Sequence, residues 1–75
     1  MEPYKNMGGD SGVVAYEIGN DYIKVQFKSG QWTLYTYTYQ SAGASAVETM
    51  KGLARQGQGL NSYISTNQPS YSSKS

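Results

Sequence analysis

The chain has 75 residues, a formal net charge of +1, and neither cysteine nor histidine. That length bounds it to one domain with one small core. Without cysteine there is no disulfide or thiolate chemistry, as in a reducing compartment, and without histidine the commonest general base and transition-metal ligand are both missing. The near-neutral charge creates no strong field for nucleic acid or for an acidic partner over the whole chain. No apolar run is long enough to cross a bilayer, and the N-terminus lacks the apolar core of a signal peptide. The expectation is a soluble, cytoplasmic single domain that binds no membrane and carries no metal or cofactor.

In chain order, residues 1–10 are polar, contain Gly8-Gly9 and lack apolar periodicity, so they read as a disordered arm. Val14, Tyr16 and Ile18 then alternate with Val13, Ala15 and Glu17, the period of a strand with one buried face. Gly19-Asn20-Asp21 tolerates left-handed backbone and forms a turn. Pairing across it puts Val14, Tyr16 and Ile18 on the same face as Ile23, Val25 and Phe27 of a second strand. Lys24, Gln26 and Lys28 fall on the opposite side.

Ser29-Gly30 supplies a second tight turn, because its backbone reaches positive φ without a Cβ clash. With those two residues as the loop, Phe27 opposes Trp32 and Val25 opposes Leu34 on the apolar face, which makes Trp32 core. The outward face then sets Tyr22 across from Tyr37, Lys24 across from Tyr35 and Gln26 across from Thr33. Tyr22, Lys24, Lys28, Tyr35 and Tyr37 are the candidate binding residues of that face.

Residues 39–44 break the alternation. Ser45 and Glu48 have the spacing of a capping box for a helix from Ala46 to Gln56, with Val47, Met50, Leu53 and Ala54 on one stripe. Lys51 and Arg55 suit its C-terminal half, and Gly57 suits its C-cap. Leu60, Tyr63 and Ile64 recur at helical spacing, giving a short second helix over Leu60 to Thr66. Residues 68–75, with Pro69 and several serines, read as a disordered tail. The predicted fold is α+β, β-β-β-α-α: a three-stranded antiparallel meander with two C-terminal helices packed on one face, in a domain spanning 11–67.

Val25-Gln26-Phe27-Lys28-Ser29-Gly30, followed by Tyr35 and Tyr37, resembles the KTSC domain family. The family's pattern runs V-x-F-x-S-G, then Y-x-Y, a helix, and G-x-x-x-N-x-x-I. Gly57, Asn61 and Ile64 match the last part, with Leu60 where the family usually has an aromatic residue and Tyr71 where it has a tyrosine after the isoleucine. The chain departs from the pattern in a longer polar stretch over 39–45 and a glycine-rich link over 56–59. The resemblance implies a small bacterial or phage domain, found also at the C-terminus of some lysyl-tRNA synthetases, with no established catalytic activity. A link to RNA follows from that association only.

No catalytic constellation is visible. Glu2, Asp10, Glu17, Asp21 and Glu48 are scattered, and the serines have no base to activate them. Gly57-Gln58-Gly59 lacks a phosphate-binding lysine and a preceding strand. Two functions remain for a non-enzymatic module. One is weak single-stranded RNA or DNA binding, with Tyr22, Tyr35 and Tyr37 stacking bases while Lys24 and Lys28 neutralise phosphates. The other is protein interaction or homodimerisation through the same face or a free edge strand, as a monomer or weak dimer. Tyrosines and threonines also occur on sheets for their β-propensity alone.

Overall fold

A computed structural model describes residues 1–7, 12–28 and 33–75. It is a small α+β domain in which one antiparallel sheet packs its inner face against helices. The central strands are β2 (Val13–Ile18), β3 (Tyr22–Phe27) and β4 (Leu34–Thr38), the expected meander. Two further strands flank them. β1 (Glu2–Pro3) pairs with β2, and β5 (Ser73–Lys74) pairs with β4, giving sheet order β1-β2-β3-β4-β5.

Residues 2–3 of the expected arm and 73–74 of the expected tail are therefore strands of the sheet rather than loose ends. Tyr4 is 6% exposed, and its hydroxyl accepts the buried Leu60 N–H at 3.2 Å. That bond satisfies one of the orphan amides of a helix start. The Met7 N–H donates to the Gly57 carbonyl at 2.7 Å. Periodicity cannot reveal either attachment, because each rests on a single side chain or a two-residue ladder.

Between β2 and β3 the turn behaves as expected. The Gly19 N–H donates to the Tyr22 carbonyl at 3.0 Å, Ile18 pairs with Ile23, and Tyr16 pairs with Val25. The far end of β2 differs. A register shift between Val13 and Ala15 inserts an extra residue, and such a bulge flips the side-chain phase. Val13 is fully buried, whereas Val14 is 42% exposed. The expected assignment of Val14 inward and Val13 outward is reversed.

The β3–β4 register also departs from expectation, by one residue. Ile23 pairs with Tyr37, Val25 with Tyr35, and Gln26 with Leu34. A one-residue slip moves every side chain of the strand to the other face, so Tyr35 and Tyr37 point inward and Leu34 outward. Within β4 the slip replaces Leu34 on the inner side by Tyr37, in the core, and Tyr35, half-buried against it, and each ring has a larger apolar surface to bury. Phe27 meets Tyr35 edge-on, and Tyr35 stacks near Tyr37. The Ser29-Gly30 turn and Trp32 lie outside the described residues.

The inner face is covered by α2 (Ala44–Gln56) and α3 (Leu60–Asn67). Val47, Met50, Ala54 and Leu60 join Ile23, Val25 and Tyr37 in one core. The first helix starts two residues earlier than the sequence suggests, after Gly43 and without a side-chain cap. The capping box is formed instead by Thr38 and Ser41 on the one-turn helix α1 (Tyr39–Ala42). There the Ser41 N–H donates to Thr38 Oγ1, and the Thr38 N–H donates to Ser41 Oγ. At the other end Gly57 takes φ +76°, the left-handed C-cap. A Cβ there would stand 2.5 Å from Lys5 Cβ, so this glycine also admits the N-terminal arm. No helix among the described residues is long and apolar enough to cross a membrane.

Candidate functional site

The sheet's outer face carries the side chains of Ala15, Glu17, Tyr22, Lys24, Gln26, Leu34, Thr36 and Thr38. Glu17 pairs with Lys24, Lys24 with Thr36, Tyr22 with Thr38, and Gln26 with both Ala15 and Leu34. All are half-buried by their neighbours within the sheet. The helices lie on the opposite side, and among the described residues no element covers this face.

Of the five residues expected to form one binding surface, Tyr22 and Lys24 are together here. Lys28 is exposed one residue beyond β3. Tyr35 and Tyr37 are not on this face, because the register turns them to the core side, where Tyr37 is only 3% exposed. Burial pushes the Tyr37 phenol up to about 12, with Tyr35 and Tyr71 adding to the rise. The five-residue tyrosine-lysine platform is therefore split across two sides of the sheet.

What remains on the outer face is a compact polar group. The Tyr22 hydroxyl donates to the Glu17 carboxylate at 3.0 Å, which raises the tyrosine's pKa. Lys24 Nζ lies 4.0 Å from the same carboxylate and 5.9 Å from the centre of the Tyr22 ring. An ion pair this exposed adds little to stability. Its consequence is electrostatic, since Glu17 offsets the charge that Lys24 would present to a partner. Glu17 is a member of this group that reading the chain for basic and aromatic residues passes over. The signal was available, because pairing Ile18 with Ile23 across the turn makes Glu17 oppose Lys24. Gly19 lets the Tyr22 ring lie close to the turn, since a Cβ there would overlap the ring at 2.0 Å.

A second polar cluster joins α2 to the β2–β3 turn. Lys51 is 4% exposed, and its ammonium donates to the Asn20 carbonyl at 3.0 Å and to Glu48 at 2.8 Å. The Tyr39 hydroxyl donates to the same carboxylate at 2.5 Å. The Lys51 bond, and then the Tyr39 bond, hold the Glu48 carboxyl below the usual carboxylate range, while the bond to Glu48 raises the Tyr39 phenol. Lys51 stands at i+4 from Val47 and i−3 from Ala54, on the buried stripe, with its stem along apolar surface. These contacts tie a helix to a turn.

Groups of three or more potential metal-binding side chains are absent among the described residues. No family model, no curated protein and no solved structure matches the chain, so the likeness to the KTSC family rests on the quoted residues.

Proposed function

We propose that the chain is a small non-enzymatic module that docks another protein on the uncovered outer face of its sheet. The observation that carries this reading is the shared Glu17 carboxylate, which engages both the Tyr22 hydroxyl and the Lys24 ammonium. A surface for single strands needs cations free for phosphates and several rings free to stack. This face has one tyrosine, and its lysine is opposed by a carboxylate. A protein interface favours a core depleted in net charge, with an aromatic residue and shape complementarity. Thr38 beside Tyr22, Thr36 beside Lys24, and Ala15 and Leu34 on either side of Gln26 fit that description, and a pleated face of this kind suits packing by a second sheet or a helix.

A photo-crosslinking side chain placed at Thr36 tests the reading, with the same group at exposed Ser62 of α3 as control. In cells expressing the chain, the Thr36 position is expected to capture a protein, another copy included, that the Ser62 position does not. In parallel, labelled chain is titrated with short single-stranded RNA and DNA. Movement of the Tyr22 and Lys24 amide signals, weakening steeply with salt, assigns the face to nucleic acid and overturns the proposal. Equal capture from both positions does the same.

A further inference from the structure

The last five residues lie along the open side of β4 as an exposed strap. Residues 71–75 are all exposed, and a short ladder holds them. The Ser72 N–H donates to the Thr36 carbonyl at 2.6 Å, and the Ser75 N–H donates to the Leu34 carbonyl at 2.9 Å. The Thr33 and Leu34 N–H groups donate to the Ser75 carbonyl oxygen at 3.0 and 2.9 Å. Tyr71 sets its ring edge-on to Tyr35, with centroids 5.0 Å apart. Without the strap, this flank of β4 is an edge that any extended chain of the right register can occupy.

The link between α3 and the strap is conformationally opposed. Gln68 takes φ 47° and ψ 57°, the left-handed region, where glycine is the usual residue at a helix C-cap. It also precedes Pro69, whose ring pushes the residue before it toward extended backbone. Both preferences work against folding the strap back onto its own sheet. If Gln68 becomes extended, both are satisfied and the strap projects away from the molecule. The Gln68 N–H belongs to the preceding peptide plane, so its bond to the Ile64 carbonyl at 2.8 Å is kept through that change.

We propose that two copies of the chain exchange this strap, residues 71–75 of each pairing with β4 of the other. The ladder and the Tyr35–Tyr71 contact are the same in the exchanged pair as in the monomer. The balance is therefore set by relief at Gln68 against the entropy of joining two molecules, and the dimer grows with concentration. This interface is the β4 edge, and because Thr36 borders it, capture of another copy from Thr36 counts for the outer sheet face only where chains ending at Ser70 keep that capture.

The absence of native cysteine makes the test clean. Thr36 and Ser73 are register partners, at a spacing within disulfide reach. Thr36→Cys and Ser73→Cys chains are mixed, refolded together from denaturant at high concentration, oxidised, and weighed without reduction. A linked heterodimer is expected well in excess of that from a Thr36→Cys and Ser62→Cys mixture. The double variant Thr36→Cys/Ser73→Cys, kept dilute, is expected to link within one chain, reporting that the strap sits on β4. Internal linking without excess heterodimer overturns the exchange, and failure of both removes the strap as well. Gln68→Gly relieves the hinge in the monomer and is expected to lower the dimer yield, so an unchanged yield contradicts the role given to Gln68. Chains ending at Ser70 lose this dimer but retain any contact through the sheet face.

Discussion

At the scale of single residues, the phenol of Tyr37 makes the inward register measurable in solution. Its pKa is pushed up to about 12 by burial, above the ordinary tyrosine value of about 10. The folded state therefore holds the proton more tightly than the unfolded state. The stabilisation is complete below about pH 10 and is lost as pH rises towards 12. Two pKa steps correspond to about 2 to 3 kcal/mol at most. An ultraviolet titration is expected to show one of the eight tyrosines ionising last, together with alkaline unfolding. Tyr37→Phe is expected to shift that unfolding to higher pH. If all the tyrosines ionise near their ordinary value while the sheet stays intact, Tyr37 is not where the register places it.

The strands and helices differ in how much of them the residue pattern discloses. α2 and α3 are marked by their apolar spacing and by Gly57, whereas α1 and its Thr38–Ser41 capping box lie where the sequence shows only a break in alternation. Leu60 begins α3 as expected, α2 ends before the left-handed Gly57, and the predicted starts and ends lie within two residues of those observed. The β2–β3 pairing is equally legible, because Ile18 and Ile23 flank a turn whose residues fix the register. Phase was lost where apolar residues occupy both parities. Val13 and Val14 are adjacent valines, and β4 carries Leu34 on one parity with Tyr35 and Tyr37 on the other. A period of two does not say which set turns inward, and at these places a bulge and a gain in aromatic burial decide. The same slip dismantled the candidate site, since the binding face was assigned from the phase of β4. The bulge predicts an asymmetry between neighbours that simple alternation reverses. Val13→Ala is expected to cost about 2 to 3 kcal/mol by leaving a cavity, and Val14→Ala less than about 0.5 kcal/mol on the surface. Urea unfolding of both variants measures the two effects, and a larger loss at Val14 removes the bulge.

At the scale of the whole molecule, both termini take part in the fold, so a chain cut to residues 11–67 is not the minimal domain that its strand and helix pattern suggests. A protein of this size has a total stability of about 4 to 11 kcal/mol. The cut removes Tyr4 from the core, a loss of about 3 to 5 kcal/mol for a large buried ring. It also leaves the buried Leu60 N–H without its acceptor, at about 1 to 3 kcal/mol more. Those losses are comparable with the whole, before counting the ladders of β1 and β5. The full chain is expected to melt in one cooperative transition by circular dichroism. The 11–67 chain is expected to melt broadly or not at all, and to scatter light as its two uncovered strand edges pair between molecules. Tyr4→Phe in the full chain separates the contributions, because it keeps most of the ring's packing and loses only the acceptor. It should therefore fall between the two, about 1 to 3 kcal/mol below the full chain. Should 11–67 melt as sharply and within a few degrees of the full chain, the core closes without Tyr4, and the sheet is the three-stranded meander that its alternation describes.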